Sequence, residues 1–447
     1  MNVEGAAYAD KFEALKDRTY FPHLDAATRR WIGEVSSRYR FTFQELRKVT
    51  EIARDLEMWQ EEAIRPRWQS LEDETPENLV GLERKKRLLK ALERKIDALK
   101  RRPKVYTNGN PVSQRQRILQ TTVEQSARKI FGDCPVASPK TVCCNLKTID
   151  AVQNCVFECS YCTIQTFYGP RAVFDRDLAK KLSAIELDPN RFYHIGTGQA
   201  SDSLVWGNKN GILDDLCEFA RENPNILLEF KTKSSNVSYF LNHDVPVNVV
   251  CSWSLNTETI VSQEEHFTAP LDQRLRAARD VADRGIKVAF HFHPIVYYEG
   301  WDQDYPELAR RVQESFDSEE VLFISFGSVT FIKPVIHEIR RRGQKTKILQ
   351  MEMVPDPHGK LTYPDEVKLK LFRTMYESFS SWRRTVYMYL CMERADIWDQ
   401  VFGWHYPTNE VFESNFCTET MRKIGRMVAL KYAGGCFDSV SGSQQYC

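Results

Sequence analysis

The sequence predicts an α/β protein, a partial (β/α)6 barrel of the TIM type with a helical N-terminal extension. Short β-rich runs alternate with helical stretches from about residue 134, which indicates βα units and a parallel sheet. Six such units suit a partial barrel, whose sites lie at the carboxyl ends of the strands. We expect an extension over 1–133, a barrel over 134–345, and a helix, a strand and an aromatic tail over 346–447.

The extension contains two clear helical patterns. Residues 41–59 carry apolar side chains at helical spacing. Residues 82–104 hold eleven Lys or Arg against three Asp or Glu. Their apolar positions form one stripe: Leu88, Leu89, Leu92, Ile96 and Leu99. This pattern favours a docked amphipathic helix with a solvated basic face. The alternative is a contact with the DNA backbone. Turn-forming residues over 101–111 predict a linker.

The barrel region is punctuated by strands and helix boundaries. The candidate strands are 148–153, 191–197, 226–233, 247–255, 287–296 and 321–329. Between the fourth and fifth strands, Thr268 and Pro270 begin a helix that Gly285 ends. A further helix over 364–382 leads to a strand at 386–391 and then to the aromatic tail.

Composition narrows the class of protein. Apolar residues make up 42% and charged residues 28%, and no stretch approaches the roughly 20 apolar residues of a membrane span. The N-terminus is neither basic nor followed by an apolar segment, so we expect a cytoplasmic protein without a membrane partner. Twelve cysteines then indicate thiols or metal ligands instead of disulfides. The net charge of +1 means that any DNA binding needs a local basic patch.

Three cysteines, Cys155, Cys159 and Cys162, share one short loop directly after the first predicted strand. Three thiolates can hold three irons of a four-iron cluster and leave the fourth iron open, unlike the four-cysteine ferredoxin patterns. The spacing Cys-x3-Cys-x2-Cys, with Tyr161 before the last cysteine, resembles the signature of radical S-adenosylmethionine (SAM) enzymes. A zinc site is the alternative, and it would need a fourth ligand such as Cys143 or Cys144.

Further segments carry a more specific resemblance. In chain order they are Cys162–Tyr168, Ser201-Asp202, Thr232-Lys233, Trp253–Asn256, Arg274–Arg279, Pro294–Trp301 and Lys333-Pro334. Over roughly residues 134–392 the chain resembles the spore photoproduct lyases and their relatives, the radical SAM "DNA repair photolyase" group.

The resemblance implies a barrel of the radical SAM type and a [4Fe-4S] cluster on the three loop cysteines. It implies that SAM binds the open iron and is cleaved to a 5′-deoxyadenosyl radical. That radical would take a hydrogen atom from a thymine dimer in DNA, which then separates into two thymines. DNA is the implied partner, and an electron donor such as flavodoxin or ferredoxin would reduce the cluster.

By position, Ser201, Lys233 and Ser254 match the SAM-contacting residues of the family. Lys233 can pair with the SAM carboxylate, and Lys231, on the same strand face, could serve instead. Gly196 and Gly198 lie where the superfamily lets backbone approach the SAM amino group. Tyr161 matches one of two family tyrosines beside the last cluster cysteine and is the candidate catalytic residue.

Two positions depart from the family. Gln199 replaces the cysteine that returns hydrogen to the thymine radical, and Thr163 replaces the second tyrosine. An amide cannot replace a thiol as a hydrogen-atom donor. Cys391 and Cys417 are substitutes if the tail covers the barrel mouth, whereas the phase of Cys251 should point it away.

His291 and His293 share one face of the fifth strand, and an inward face would place them in the cavity. The alternative is a pair of core histidines bonded to backbone.

The resemblance and the departures from it leave three hypotheses for the function. They are lesion repair in DNA, radical SAM chemistry on another base or a small molecule, and a non-catalytic zinc or cluster protein that binds nucleic acid.

Overall fold

The computed structural model describes residues 3–106, 119–134, 139–167 and 169–425. The predicted linker therefore lies partly outside the described residues, as does the last residue of the segment Cys162–Tyr168. The α-helices are α1 (Val3–Lys16), α2 (Ala26–Tyr39), α3 (Phe43–Trp59), α4 (Ile64–Glu74), α5 (Gly81–Arg101), α6 (Leu178–Ser183), α7 (Ile212–Glu222), α8 (Ser238–Asn242), α9 (Glu258–Glu264), α10 (Leu271–Asp283), α11 (Trp301–Ser315), α12 (Lys333–Arg342), α13 (Asp365–Ser378), α14 (Ala395–Phe402) and α15 (Asn409–Lys423).

The strands are β1 (Gln120–Glu124), β2 (Phe131–Asp133), β3 (Lys147–Ile149), β4 (Val152–Gln153), β5 (Glu158–Cys159), β6 (Arg171–Asp175), β7 (Tyr193–Thr197), β8 (Ile226–Thr232), β9 (Val249–Ser254), β10 (Glu265–His266), β11 (Lys287–Ile295), β12 (Val321–Ser328), β13 (Thr330–Phe331), β14 (Val354–Pro355), β15 (Leu361–Thr362) and β16 (Tyr387–Leu390). Each candidate strand of the sequence overlaps an observed strand, and the first is divided into β3 and β4.

The main sheet has the order β16-β12-β11-β9-β8-β7-β3-β2. Neighbouring strands in this sheet run parallel, with one exception. At one edge β2 pairs antiparallel with β3. The chain thus has a mixed α/β fold with a curled half-barrel sheet. Helices separate most of its parallel strands, because parallel neighbours need a crossover connection.

The chain divides into two compact units. Unit 1 contains residues 1–113, 160–166 and 331–354, and unit 2 contains residues 114–159, 167–330 and 355–447. The main sheet belongs to unit 2, and the first five helices belong to unit 1.

In unit 1, α5 packs as the amphipathic helix that its apolar stripe predicts. Leu88, Leu92 and Ile96 are buried on that stripe. Lys85 is also buried, and its Nζ lies 3.0 Å from a carboxylate oxygen of Glu45. One basic side chain of α5 is therefore engaged in an ion pair inside unit 1 and does not lie on the exposed face of the helix.

A buried charge pair joins α3 to α12 within unit 1. The guanidinium of Arg340 donates two hydrogen bonds of 2.8 Å to the buried carboxylate of Asp55. Arg54 donates to the carbonyl oxygens of Arg340 and His23, at 2.8 Å each. Gly343 ends α12 with φ +63°, and a side chain there would collide with the Arg54 guanidinium.

In unit 2, α15 packs against β7, β12 and β16 on the inner face of the half-barrel. The ring of Phe416 stacks on His194 at 4.7 Å and meets Phe323 at 5.2 Å. His194 and Phe323 lie in the amino-terminal halves of their strands. The predicted aromatic tail therefore closes the inner face at that end and leaves the carboxyl ends of the strands uncovered by this helix. None of the helices in the described ranges is long and apolar enough to cross a membrane.

Candidate active site

The cysteine loop follows β4, and within unit 2 it carries Cys155 and Cys159 beyond the carboxyl end of β3. Asn154 begins the loop in the left-handed region, with φ +73°. Its side chain donates to the carbonyl oxygen of Arg171 at 2.7 Å and accepts from the backbone N–H of Gly169 at 3.1 Å. Cys155 and Cys159 are buried. The loop is thus held at its start by an asparagine that can adopt this backbone conformation.

The three loop cysteines have the donor chemistry that an iron–sulfur cluster needs. They are thiols instead of disulfides, Cys155 and Cys159 are buried, and Cys162 is half-buried, as is Tyr161. Within the described ranges, no group of three or more His, Cys, Asp or Glu side chains is arranged around a common metal position. The fit of these cysteines to a cluster therefore rests on ligand type and spacing.

Arg274 connects the cysteine loop to the end of β9, a role that sequence reasoning missed. Strand β10 pairs with β5, and Glu265 lies opposite Cys159 in that pairing. The fully buried Arg274 places Nη1 2.6 Å from Oε2 of Glu265 and donates at 2.9 Å to the carbonyl oxygen of Ser254. Its Nε donates to the carbonyl oxygen of Ala269 at 2.8 Å. One side chain thus fixes a predicted SAM-contacting strand end relative to the strand that carries Cys159, a predicted cluster ligand.

Neighbouring atoms of the protein leave little room for a Cβ at Gly196 and Gly198. Gly198 has φ +95°, and a Cβ there would lie 2.9 Å from the carbonyl oxygen of Lys231 and from Oγ of Ser203. A Cβ on Gly196 would lie 3.3 Å from the side chain of Leu146. Glycine is therefore favoured at both positions by contacts within the protein, and the approach of this backbone to SAM stays a prediction.

The Ser201-Asp202 pair shapes the loop after β7. The Trp206 indole donates to the buried Oγ of Ser201 at 2.9 Å. The carboxylate of Asp202 accepts from the backbone N–H of Lys233 at 2.7 Å and from the Thr232 hydroxyl at 2.8 Å. Burial raises the pKa of Asp202 although these bonds oppose it. Asp202 therefore fixes where Lys233 leaves strand β8.

The two candidate lysines lie at different depths. Lys231 is half-buried within β8 and lies opposite Ser252 in the β8–β9 pairing. Lys233 is half-buried just beyond the end of β8. Ser254 is buried and lies opposite His291 on β11. Parallel neighbours of this kind face the same side of a sheet, so Lys231, Ser252 and Ser254 share one face.

A cavity of about 820 Å³ adjoins the cysteine loop within unit 2. Its lining includes Gln199, Asn154 and Thr148, together with the basic residues Arg128 and Arg171. The volume falls in the range of cofactor and ligand sites. Gln199, which stands where the family has its hydrogen-donating cysteine, therefore faces space that a ligand can fill.

A layer of polar side chains, all buried except the half-buried His293, crosses the inner face of the sheet. We call this set the polar layer; its members are His194, Glu229, Ser252, His291, His293 and Ser325. The sequence left open whether His291 and His293 line the cavity or are core histidines bonded to backbone. In the structure both bond to a side chain of the layer: Nδ1 of His291 lies 2.5 Å from Oγ of Ser325, and Nε2 of His293 lies 3.0 Å from it. The sequence signal that could have indicated the other members of the polar layer is the pair of charged residues Glu229 and Lys231 at alternate positions of β8.

The carboxylate of Glu229 is the centre of the polar layer. It lies 2.8 Å from Nε2 of His194 and 2.5 Å from Nε2 of His291, and it accepts a short bond from Ser252. Burial raises its pKa, but His291 and His194 together hold that pKa well below the ordinary value. Burial, with Lys231 nearby, lowers the pKa of His291 to about 4. Glu229 is therefore ionised and His291 neutral at pH 7.

The candidate replacement thiols are separated by the fold. Burial raises the pKa of Cys251, with Cys217 of α7 the next cause, so Cys251 faces the helix layer as its phase predicts. Cys417 lies on α15, at the opposite end of the strands from the cysteine loop, and is not placed to donate hydrogen there. Cys391 follows β16, and burial raises its pKa, which keeps it a thiol.

The family comparison agrees with this geometry. Residues 145–356 match the family model described as spore photoproduct lyase. Over this segment the chain is similar to the spore photoproduct lyases. The spore photoproduct lyase of Clostridium acetobutylicum is 24% identical over 223 residues, which cover 48% of this chain and 62% of the relative. That of Geobacillus is 26% identical over 208 residues, covering 45% and 61%. The chain thus spans about three fifths of the length of these spore photoproduct lyases.

Solved spore photoproduct lyases share the fold. One, complexed with dinucleoside spore photoproduct, has a TM-score of 0.54 at 22% identity and covers 64% of this chain and 88% of its own. A variant with bound AdoMet and dinucleoside spore photoproduct has a TM-score of 0.52 at 23% identity, covering 60% and 82%. The half-barrel sheet is therefore common to this chain and the spore photoproduct lyases.

Proposed function

We propose that this protein is a radical SAM enzyme that splits thymine-dimer lesions in DNA, as a lyase similar to spore photoproduct lyase. The observation that carries the proposal is the three-cysteine loop at the carboxyl ends of a half-barrel that solved spore photoproduct lyases share. The bound AdoMet and dinucleoside spore photoproduct in one of those structures support both the cofactor and the substrate class.

In this proposal Cys155, Cys159 and Cys162 hold a [4Fe-4S] cluster whose fourth iron binds SAM. Once bound, cluster and SAM would supply a 5′-deoxyadenosyl radical that takes a hydrogen atom from the lesion. An electron donor such as flavodoxin or ferredoxin would reduce the cluster. Thiol ligands of this kind suit a reducing cytoplasm, where we place the enzyme.

The chain's own residues would orient the cofactor. Lys233 would pair with the SAM carboxylate, since charge pairing is strong in a shielded cavity. Ser201 and Ser254 would hydrogen-bond SAM, while Gly196 and Gly198 would let backbone approach its amino group. These residues lie on or just beyond the carboxyl ends of β7, β8 and β9, where a barrel of the radical SAM (β/α)6 type collects its site residues.

Hydrogen must then return to the thymine radical. Tyr161, beside the last cluster cysteine, would take part in that return, and the thiol of Cys391 is the remaining candidate donor at the carboxyl end of β16. A protonated thiol is required because a thiolate has no hydrogen atom to give. The raised pKa of Cys391 supports this requirement.

DNA would contact the helical N-terminal extension that we place at 1–133 through the exposed face of α5. Arg87, Lys90 and Arg94 are exposed there, whereas Lys85 is buried against Glu45. Replacing the three exposed residues with glutamine should lower the salt dependence of DNA binding by about one counterion for each lost phosphate contact. An unchanged salt slope would leave α5 as a solvated helix face.

The experiment that tests the function is anaerobic turnover of the reconstituted, dithionite-reduced protein with SAM and dinucleoside spore photoproduct. Release of 5′-deoxyadenosine together with loss of the lesion is the expected result. The Cys159→Ala protein, with little iron and no turnover, is the control. Deoxyadenosine release without loss of the lesion would support radical SAM chemistry on another substrate, which the glutamine at position 199 favours. Zinc without sulfide would refute the cluster.

A further inference from the structure

The polar layer carries more chemistry than the proposed reaction uses. Its members His194, Glu229, Ser252, His291 and Ser325 are buried, in a position where a barrel core is usually apolar. The proposed reaction moves hydrogen atoms and needs no proton transfer. Buried polar side chains cost stability unless they are fully bonded, so a layer of this size needs a role.

The hydrogen bonds of the layer fix the protonation of each imidazole in turn. A carboxylate only accepts, so Nε2 of His291 must donate to Glu229. Because His291 is neutral, its Nδ1 is an acceptor, and Ser325 donates its hydroxyl hydrogen there at 2.5 Å. The Ser325 oxygen can then only accept from Nε2 of His293, at 3.0 Å.

The chain of bonds ends at His293, which is half-buried where the other members are buried. Burial and the charge of Lys231 lower the pKa of His293 well below its ordinary value. With its one hydrogen on Nε2, His293 presents Nδ1 as an acceptor, and none of the residues that the structure describes bonds to that atom. Gly327 makes room for the ring: a Cβ at that position would lie 3.1 Å from Nε2 of His293.

The charge of Lys231 acts on this acceptor. Lys231 occupies the next inward position of β8 after Glu229, and its half-buried ammonium has no ion-pair or hydrogen-bond partner within the described ranges. Its field acts on both His291 and His293. The inner face therefore offers one neutral acceptor and one strong donor, both unused by the protein itself.

We infer that His293 and Lys231 recognise the imide edge of a thymine-type base, His293 accepting from the ring N–H and Lys231 donating to the neighbouring carbonyl oxygen. A phosphate or a carboxylate does not satisfy this pair, since it brings acceptors alone and His293 presents no hydrogen to it. The inference rests on the proposed function and names the base-reading residues of that site. Glu229, His291 and Ser325 act as positioning residues that set the tautomer of His293.

The first test measures binding without turnover. The dissociation constant of dinucleoside spore photoproduct is compared with that of its N3-methylated derivative, for the wild-type protein and for His293→Leu and His293→Asn. N3-methylation should weaken wild-type binding about tenfold, because a buried acceptor is left unpaired. His293→Leu should be insensitive to the methyl group, and His293→Asn, which retains an acceptor oxygen, should recover part of the difference. Replacement of the exposed His358 with leucine is the matched control.

A second measurement does not depend on any ligand. ¹⁵N NMR of histidine-labelled full-length protein should find Nδ1 of His293 unprotonated, and Glu229→Gln should mix its tautomers. A protonated Nδ1 in the wild-type protein would overturn the inference. So would equal affinities for the lesion and its N3-methyl derivative, or a loss of SAM affinity alone in His293→Leu. Lesion binding that needs the N3–H, without repair, would instead refute the proposed function and leave the inference standing.

Discussion

Acidification should destabilise unit 2 well above the pH at which carboxylates titrate. An unfolded histidine binds a proton below about pH 6.5, whereas folded His291 stays neutral down to about pH 4. The pKa of His291 is lower in the folded protein than in the unfolded chain. The stabilisation that neutral His291 contributes to the free energy of unfolding is therefore fully present above about pH 6.5, and it is lost as the pH falls from 6.5 toward 4. Glu229, whose pKa is also lowered, contributes stability that is lost only below the ordinary range of a glutamate.

The magnitude follows from the width of this window. Each pH unit below 6.5 costs about 1.4 kcal/mol for each histidine that must stay neutral in the folded protein. At pH 5 that is about 2 kcal/mol for His291, and His293, whose pKa burial lowers well below its ordinary value, adds to the loss in the same direction. A loss of about 2 kcal/mol or more is a large part of the 5–15 kcal/mol that typically stabilises a protein.

Urea unfolding followed by circular dichroism at pH 7, 6 and 5, under anaerobic conditions, measures this loss. His293→Leu should reduce the difference in unfolding free energy between pH 7 and pH 5, because it removes one of the two histidines whose pKa is lowered. His358→Leu removes an exposed imidazole instead and should leave the difference as it is. A wild-type stability that is flat between pH 7 and pH 5 would refute the assignment of neutral histidines to the polar layer.

Three substitutions test the packing of the site. Arg274→Met removes the buried ion pair with Glu265 and should cost about 3–5 kcal/mol in thermal unfolding, whereas Arg276→Met, exposed on the same helix, should stay within about 0.5 kcal/mol; equal effects would remove the role of the ion pair. Gly198→Ala forces a Cβ to 2.9 Å from a carbonyl oxygen at a positive φ and should cost about 1–3 kcal/mol, while Gly132→Ala, which meets nothing within 4 Å, should be neutral. Phe416→Ala should cost about 3–5 kcal/mol in the same assay, and an effect below 1 kcal/mol would mean that α15 does not close the inner face.

The strands were predictable because their signal is local. Runs of β-branched and aromatic residues bounded by turn formers locate β7, β8, β9, β11 and β12 to within a few residues at either end. The loop cysteines and the departures at Gln199 and Thr163 are likewise visible in the sequence, since each depends on residue type at one position.

The rest of the site depends on pairings between distant segments. Nothing in the neighbourhood of Arg274 indicates that it reaches both Glu265 and the end of β9, because that contact needs β10 to pair with β5. The polar layer is hidden for the same reason. Glu229 and His291 are 62 residues apart and meet only when three strands are placed side by side.

The position of α15 has a practical consequence for anyone who shortens this chain. The family match ends at residue 356, and a protein cut there or soon after would lose the helix that carries Phe416. His194 would then face water, and the buried carboxylate of Glu229 would gain a hydrated neighbour in place of an aromatic ring. The segment that the family model matches therefore does not contain every element that packs against the half-barrel, because α15 lies beyond it.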